Sequence, residues 1–191
     1  MINKKLFRVA VLLSALFLFF GCAKIKNVGV KSYNNNFTNE LNENTKSVKL
    51  YRDFTTIAIA KATHFNKQLM RKYVNYTQKI DTNEQNKLLK DSESYNLYWV
   101  ALYTSNYDIN NLSYKKSFWN VYLSCRGNVY KPVSIKKVHT GYLRTQWLYI
   151  IKGNNWFKQY EIRFRKEDCK NEPSHLVIAS SLGVIDFSFE N

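Results

Sequence analysis

Between residues 118 and 125 the chain alternates. Trp119, Val121, Leu123 and Cys125 fall on one side, and Asn120, Tyr122 and Ser124 on the other. A period of two marks a strand with one buried and one wet face. The alternation recurs over 157–165, setting Tyr160, Ile162 and Phe164 against Gln159, Glu161 and Arg163. Residues 95–103 are rich in Tyr, Trp and Val and read as a strand by composition. Arg126-Gly127-Asn128 supplies a turn. The return over 129–138 contains Pro132, which confines it to an edge or an irregular strand. Residues 142–151 form another strand, closed by Gly153-Asn154-Asn155, and 176–180 and 184–189 finish the chain around Leu182-Gly183.

Upstream the pattern changes. Residues 54–63, FTTIAIAKAT, are apolar almost throughout, which suits a buried strand or a helix by periodicity alone. Their β-branched content assigns a strand. Asn66 then caps a helix over 67–80, where Leu69, Met70, Tyr73, Val74, Thr77 and Ile80 share one face. A second short helix opens at Thr82, with Gln85 three residues on as a capping box.

Seven or eight short strands separated by turns make the domain mainly β, an antiparallel β-sandwich (immunoglobulin-like) with a helix after the first strand. The uneven spacing of the strands selects the sandwich over a closed barrel. The helix is expected to cover an open end or a sheet edge. This domain spans residues 48–191. Residues 22–47 are polar and Asn-rich without a period, the composition of a flexible tether.

The first residues have another character. Lys4, Lys5 and Arg8 precede twelve residues, 9–20, in which only Ser14 is polar; Gly21 and Cys22 follow. Twelve residues are too few for a membrane-spanning helix, which needs about 20. A basic head, a short apolar run and a small residue at the end make a secretory signal over 1–21. Phe19-Phe20-Gly21-Cys22 resembles the lipobox of bacterial lipoproteins, although members usually carry Leu and a small residue at the places of Phe19 and Phe20. The resemblance implies cleavage between Gly21 and Cys22 and acylation of Cys22, a membrane anchor on the periplasmic face of the cell envelope. Ala23 after the cysteine implies export to an outer membrane where there is one. The downstream domain is similar to small uncharacterised envelope lipoproteins of Gram-negative bacteria, a likeness without a functional motif.

A net charge of +15 favours acidic partners in general. Lysine and asparagine each number 22 against seven arginines, and the lysines are scattered, so the charge marks no single site. Nucleic acid is not expected as a partner, since an exported protein rarely meets it. Cys125 and Cys169 form the one pair left after Cys22. Export favours a bridge between them; the alternative is a buried Cys125 with a free Cys169.

Motifs for chemistry are sparse. The chain has no Gly-rich phosphate loop, Cys-x-x-Cys, His-Glu-x-x-His or Gly-x-Ser-x-Gly. His64, His139 and His175 stand singly, and Glu161, Glu167 and Asp168 show no spacing that demands a carboxylate pair. Catalytic residues, metal ligands and cofactors are therefore not expected. Of the four tryptophans, Trp119 alternates with apolar neighbours and belongs to the core. Trp156, beside the Gly-Asn-Asn turn, is the candidate for surface binding. The expected function is a membrane-anchored, non-catalytic envelope lipoprotein that binds or supports an envelope protein partner. The alternatives are a binding module for anionic or carbohydrate envelope polymers and, third, an envelope hydrolase.

Overall fold

The computed structural model describes residues 35–76, 81–113, 117–138, 156–170 and 172–190. Along them run α1 (Asn35–Glu43), β1 (Thr45–Arg52), β2 (Thr55–His64), α2 (Lys67–Tyr76), α3 (Thr82–Ser94) and β3 (Tyr95–Thr104). Then come β4 (Asn120–Cys125), β5 (Asn128–Tyr130), β6 (Ser134–Lys137), β7 (Lys158–Arg165), β8 (Ser174–Ser180) and β9 (Gly183–Phe189). The strands form two antiparallel sheets, ordered β1-β2-β3-β7-β6 and β5-β4-β8-β9. Face to face they make the sandwich that the strand pattern predicts, and no barrel closes.

Strand β3 shows why a third layer exists. Asn96 through Leu102 are buried without a break, so both faces of β3 are covered. Its even-numbered Tyr98, Val100 and Leu102 join Ala58, Ala60 and Ala62 of β2 and Tyr160, Ile162 and Phe164 of β7 in the sandwich core. Leu123, Leu176, Ile178, Ile185 and Phe187 face them from the other sheet. The odd-numbered Leu97 and Trp99 point the other way, into a second cluster with Phe65, Leu69, Met70, Tyr73 and Leu88 from the helical layer. Fully burying a side chain of this kind contributes about 1.5–3 kcal/mol, so each cluster is a substantial core of its own.

The helices thus pack on the outer face of the five-stranded sheet, not over an edge or open end as expected. A strand apolar at both parities exposes a wide surface on each side, and an amphipathic helix layer removes the second one from water. A further correction concerns the tether. Residues 35–43 are helical and β1 begins at Thr45, inside the stretch expected to be flexible up to residue 47. Phe37 and Leu41, one helical turn apart, are both buried in the second cluster. Two apolar side chains at that spacing fold a polar segment when a neighbour supplies the matching face. Residues 23–34 lie outside the described residues.

Local signals hold in detail with small shifts. The Leu69 amide donates to Asn66 Oδ1 at 2.8 Å, the cap expected for α2; residues 77–80 of the predicted helix are outside the described residues. Helix α3 is capped by Asp81, whose carboxylate accepts from the Asn83 amide, rather than by Thr82. Arg126 and Gly127 both adopt positive φ, 47° and 78°, a two-residue turn whose twist suits the β4–β5 hairpin. Pro132 falls between β5 and β6, which belong to different sheets, so the interruption marks a crossing between layers. The expected strand 142–151 and the turn after it lie outside the described residues.

Candidate functional site

Six chain segments meet at one end of the sandwich. β1 ends and β2 starts there, β3 ends there, and the pairings Leu102↔Lys158, Asn120↔Ala179 and Ser180↔Gly183 bring the starts of β7, β4 and β9 to the same end. Arg52 donates to the Ser181 carbonyl across the gap between the sheets at 3.4 Å. Gly183 sits so close to β1 that a Cβ there would lie 2.7 Å from a Leu50 methyl.

This end carries most of the exposed grease. Eight large apolar side chains are exposed among the described residues: Tyr51, Phe54, Tyr107, Phe118, Val129, Val133, Trp156 and Val184. All but Val129 and Val133 lie at this end. Scattered exposed apolar residues are ordinary, whereas a cluster of them marks an interaction surface.

Phe54 is the most unusual member. It is fully exposed at the tip of the β1–β2 hairpin, where Asp53 and Phe54 have φ of 47° and 64°. Such turns are normally Asn-Gly or Asp-Gly, because a side chain in the left-handed region crowds its own carbonyl. The chain therefore holds an aromatic ring in water, on strained backbone, at a projecting tip. Strain of this kind clusters at functional positions.

Trp156, 64 % exposed, lies beside Thr56, Ile59, Tyr103 and Phe157 around a shallow hollow of about 370 Å³. The Tyr103 and Phe157 rings are 5.8 Å apart. The hollow occupies the part of the outer face of the five-stranded sheet beyond the helices, on the same side of β3 as Trp99. Nearby, the Asp108 amide donates to Asn106 Oδ1 at 2.9 Å, shaping the short turn that presents Tyr107. The Lys158 ammonium stands 4.0 Å above that ring, a cation–π contact.

The other residues singled out by the sequence do not join this end. Gly21 and Cys22 lie outside the described residues, as do His139 and Trp147. Cys125 and Cys169 form a disulfide with Cα atoms 6.0 Å apart, at the opposite end of the sandwich. Trp119 is in the core, its indole donating to the Ile109 carbonyl at 2.7 Å. Glu161 is buried on β7 and accepts from Arg163 at 2.7 Å. Glu167 and Asp168 sit in a short turn past the end of β7, where Asp168 caps the Arg165 amide. The three carboxylates are thus not brought together.

His64 is buried against the Tyr98 ring, 4.8 Å away, with Nε2 lacking a hydrogen bond. Burial, helped by the positive charge of Lys166, pulls its pKa down to about 4. Burial likewise pushes Tyr98 up to about 12, against the hydrogen bond its hydroxyl shares with Ser174. His175 pairs with Asp186 at 2.9 Å on the surface. Among the described residues no group of His, Cys, Asp or Glu could hold a metal ion.

Sequence reasoning missed Phe54, Tyr51, Tyr107 and Phe118. The available signal was the alternation of Val48 and Leu50 before a two-residue break at Asp53-Phe54, which describes a hairpin without the usual glycine. No protein-family model, curated protein or solved structure matches this chain.

Proposed function

We propose that this chain is a lipid-anchored envelope protein whose sandwich is a non-catalytic binding module, engaging a protein partner through its aromatic end. The clustering of Tyr51, Phe54, Tyr107, Phe118, Trp156 and Val184 at one end carries this reading. Aromatic and Arg side chains dominate the energetics of protein interfaces, and an apolar patch rimmed by polar groups is the surface such a partner needs. Export is supported by the basic head, the short apolar run and the Gly21-Cys22 junction. The Cys125–Cys169 bridge supports it independently, since structural disulfides persist in oxidising compartments. Among the described residues no helix is long and apolar enough to cross a membrane, and the proposed anchor is the acylated Cys22.

Asp91 and Glu161 both contact Arg163, which supports a structural role for them. A second reading draws on the hollow at Trp156, whose aromatic wall of Tyr103 and Phe157 suits the ring of a carbohydrate envelope polymer.

Co-purification from gently solubilised membranes tests the main reading. The intact protein should bring down a partner that Phe54→Ser and Trp156→Ser variants lose, with unchanged folding. Recovery of the intact protein alone overturns it. Salt-sensitive retention on purified envelope polymers, lost in the same variants, would favour the second reading. For the anchor, Cys22→Ser should release the protein from the membrane fraction and alter its migration.

A further inference from the structure

The β1–β2 hairpin carries a projection and a recess side by side. Arg52 pairs with Thr55, which leaves Asp53 and Phe54 as an exposed two-residue tip. Below the tip the register shifts: Leu50 pairs with Ala58 and Tyr51 with Thr56, so Ile57 is an extra residue. A bulge re-aims the side chains beside it. Here it sets Thr56 on the same outer face of the sheet as Ile59, and both line the hollow with Tyr103, Trp156 and Phe157. Tyr51, directly across from Thr56, extends this apolar surface. Two residues of extended chain span about 7 Å, so Phe54 stands at the rim of the hollow. Its ring nonetheless stays in water.

The charges beside the projection and the recess are opposite. Lys49 pairs with Ile59 across β1 and β2. It points to the outer face too, because Val48 and Leu50 on either side of it pack toward the sandwich core. Lys49 and Asp53 are both exposed, and neither has an ion-pair partner among the described residues. One surface thus holds a ring with an acid next to it and an apolar hollow with a cation on its rim. The hollow measures about 370 Å³, ample for a ring, since a cavity of about 150 Å³ already admits benzene.

We propose that a second copy of this chain docks here, in a two-fold dimer where Phe54 of each copy fills the hollow of the other and Asp53 meets the partner's Lys49. This rests on the reading of the aromatic end as a protein-binding surface and names its partner. A two-fold axis between tip and hollow exchanges them, so a single complementary contact is made twice. The occupant that the hollow requires, an apolar knob beside an acid, is what the same chain's hairpin tip presents. Phe54 is fully exposed, Trp156 64 % and Tyr51 57 %. With the partly exposed residues of the hollow they offer on the order of 600 Å², against about 800 Å² per partner in a standard interface. That area suits a reversible dimer. Exposed charge pairs add little affinity, but they set register and disfavour other arrangements.

The test uses full-length chains in their own membranes, co-expressed with two different epitope tags. One tagged copy carries Asp53→Cys and the other Lys49→Cys, and a short bis-maleimide is added. A cross-linked pair bearing both tags is expected. Adding Phe54→Ser to both copies should leave the thermal midpoint unchanged and lower the yield at least tenfold. Val129→Cys in both copies, exposed and away from this surface, should give less than a tenth of the product. A yield no higher than that of the Val129→Cys pair overturns the proposal, and so does a yield indifferent to Phe54→Ser. If no pair forms while the intact chain brings down another protein that Phe54→Ser loses, the second copy is ruled out and the reading of the aromatic end stands. Recovery of neither a second copy nor another protein removes both.

Discussion

Arg163 of β7 reaches the Asp91 carboxylate of α3 at 2.8 Å, tying the helical layer to the outer face of the five-stranded sheet. The approach is oblique, and Asp91 Oδ2 makes no hydrogen bond, so attraction between charges holds the contact. Its other partner, Glu161, accepts a well-formed hydrogen bond. Removing one member of a buried ion group leaves uncompensated charge, which costs far more than the group contributes as a whole. Arg163→Leu strands two carboxylates and is expected to lower stability by roughly 3–5 kcal/mol, read from urea unfolding. A loss under about 1 kcal/mol would place the triad with exposed pairs.

Phe54 separates stability from function. Glycine at this position removes left-handed strain of about 1–2 kcal/mol and returns part of it by loosening the unfolded chain. Phe54→Gly is therefore expected to stabilise the domain by roughly 0.5–1 kcal/mol while lowering partner recovery. Unchanged recovery would show that the ring has no part in binding.

The disulfide joins residues 44 apart in sequence. On the chain-entropy account a loop of this size contributes about 4 kcal/mol by restricting the unfolded state. Cys125→Ser/Cys169→Ser should lower the denaturant midpoint accordingly. A thiol assay on denatured, unreduced protein should find neither cysteine free, and two free thiols would refute the bridge.

His64 predicts a slope of stability with pH. Its pKa is depressed in the fold, to about 4 from the ordinary 6.5, so between those values the unfolded chain binds the proton and the folded chain does not. Stability is then fully present above pH 6.5 and is lost as pH falls toward 4, by on the order of 3 kcal/mol across the window. His64→Phe keeps a ring against Tyr98 and should flatten this part of the curve. Parallel curves for the two proteins from pH 7 to 4 would contradict it.

Most strands after β1, and α2, were legible because their signals are short in range. Alternation over 118–125 and 157–165, the Asn66 cap and the Arg126-Gly127 turn depend on neighbours along the chain. The layer arrangement was only half legible. Residues 95–103 are apolar at both parities, which announces a strand buried on two faces, but not what covers the second face. Phe37 and Leu41 show the same limit: flanked by polar residues, they read as tether, and α1 gains its burial only from α2 and the sheet.

From residue order alone came the mainly β class, the strand faces and the surface position of Trp156. Each depends on composition or on spacing within one segment. The tertiary structure decided which segments share an end, a face or a cavity. Tyr51, Phe54, Tyr107 and Trp156 are separated by long stretches of chain and converge because four strand ends meet there. Sites are built from such distant pairings, and pairing is set by register and packing that no local pattern encodes.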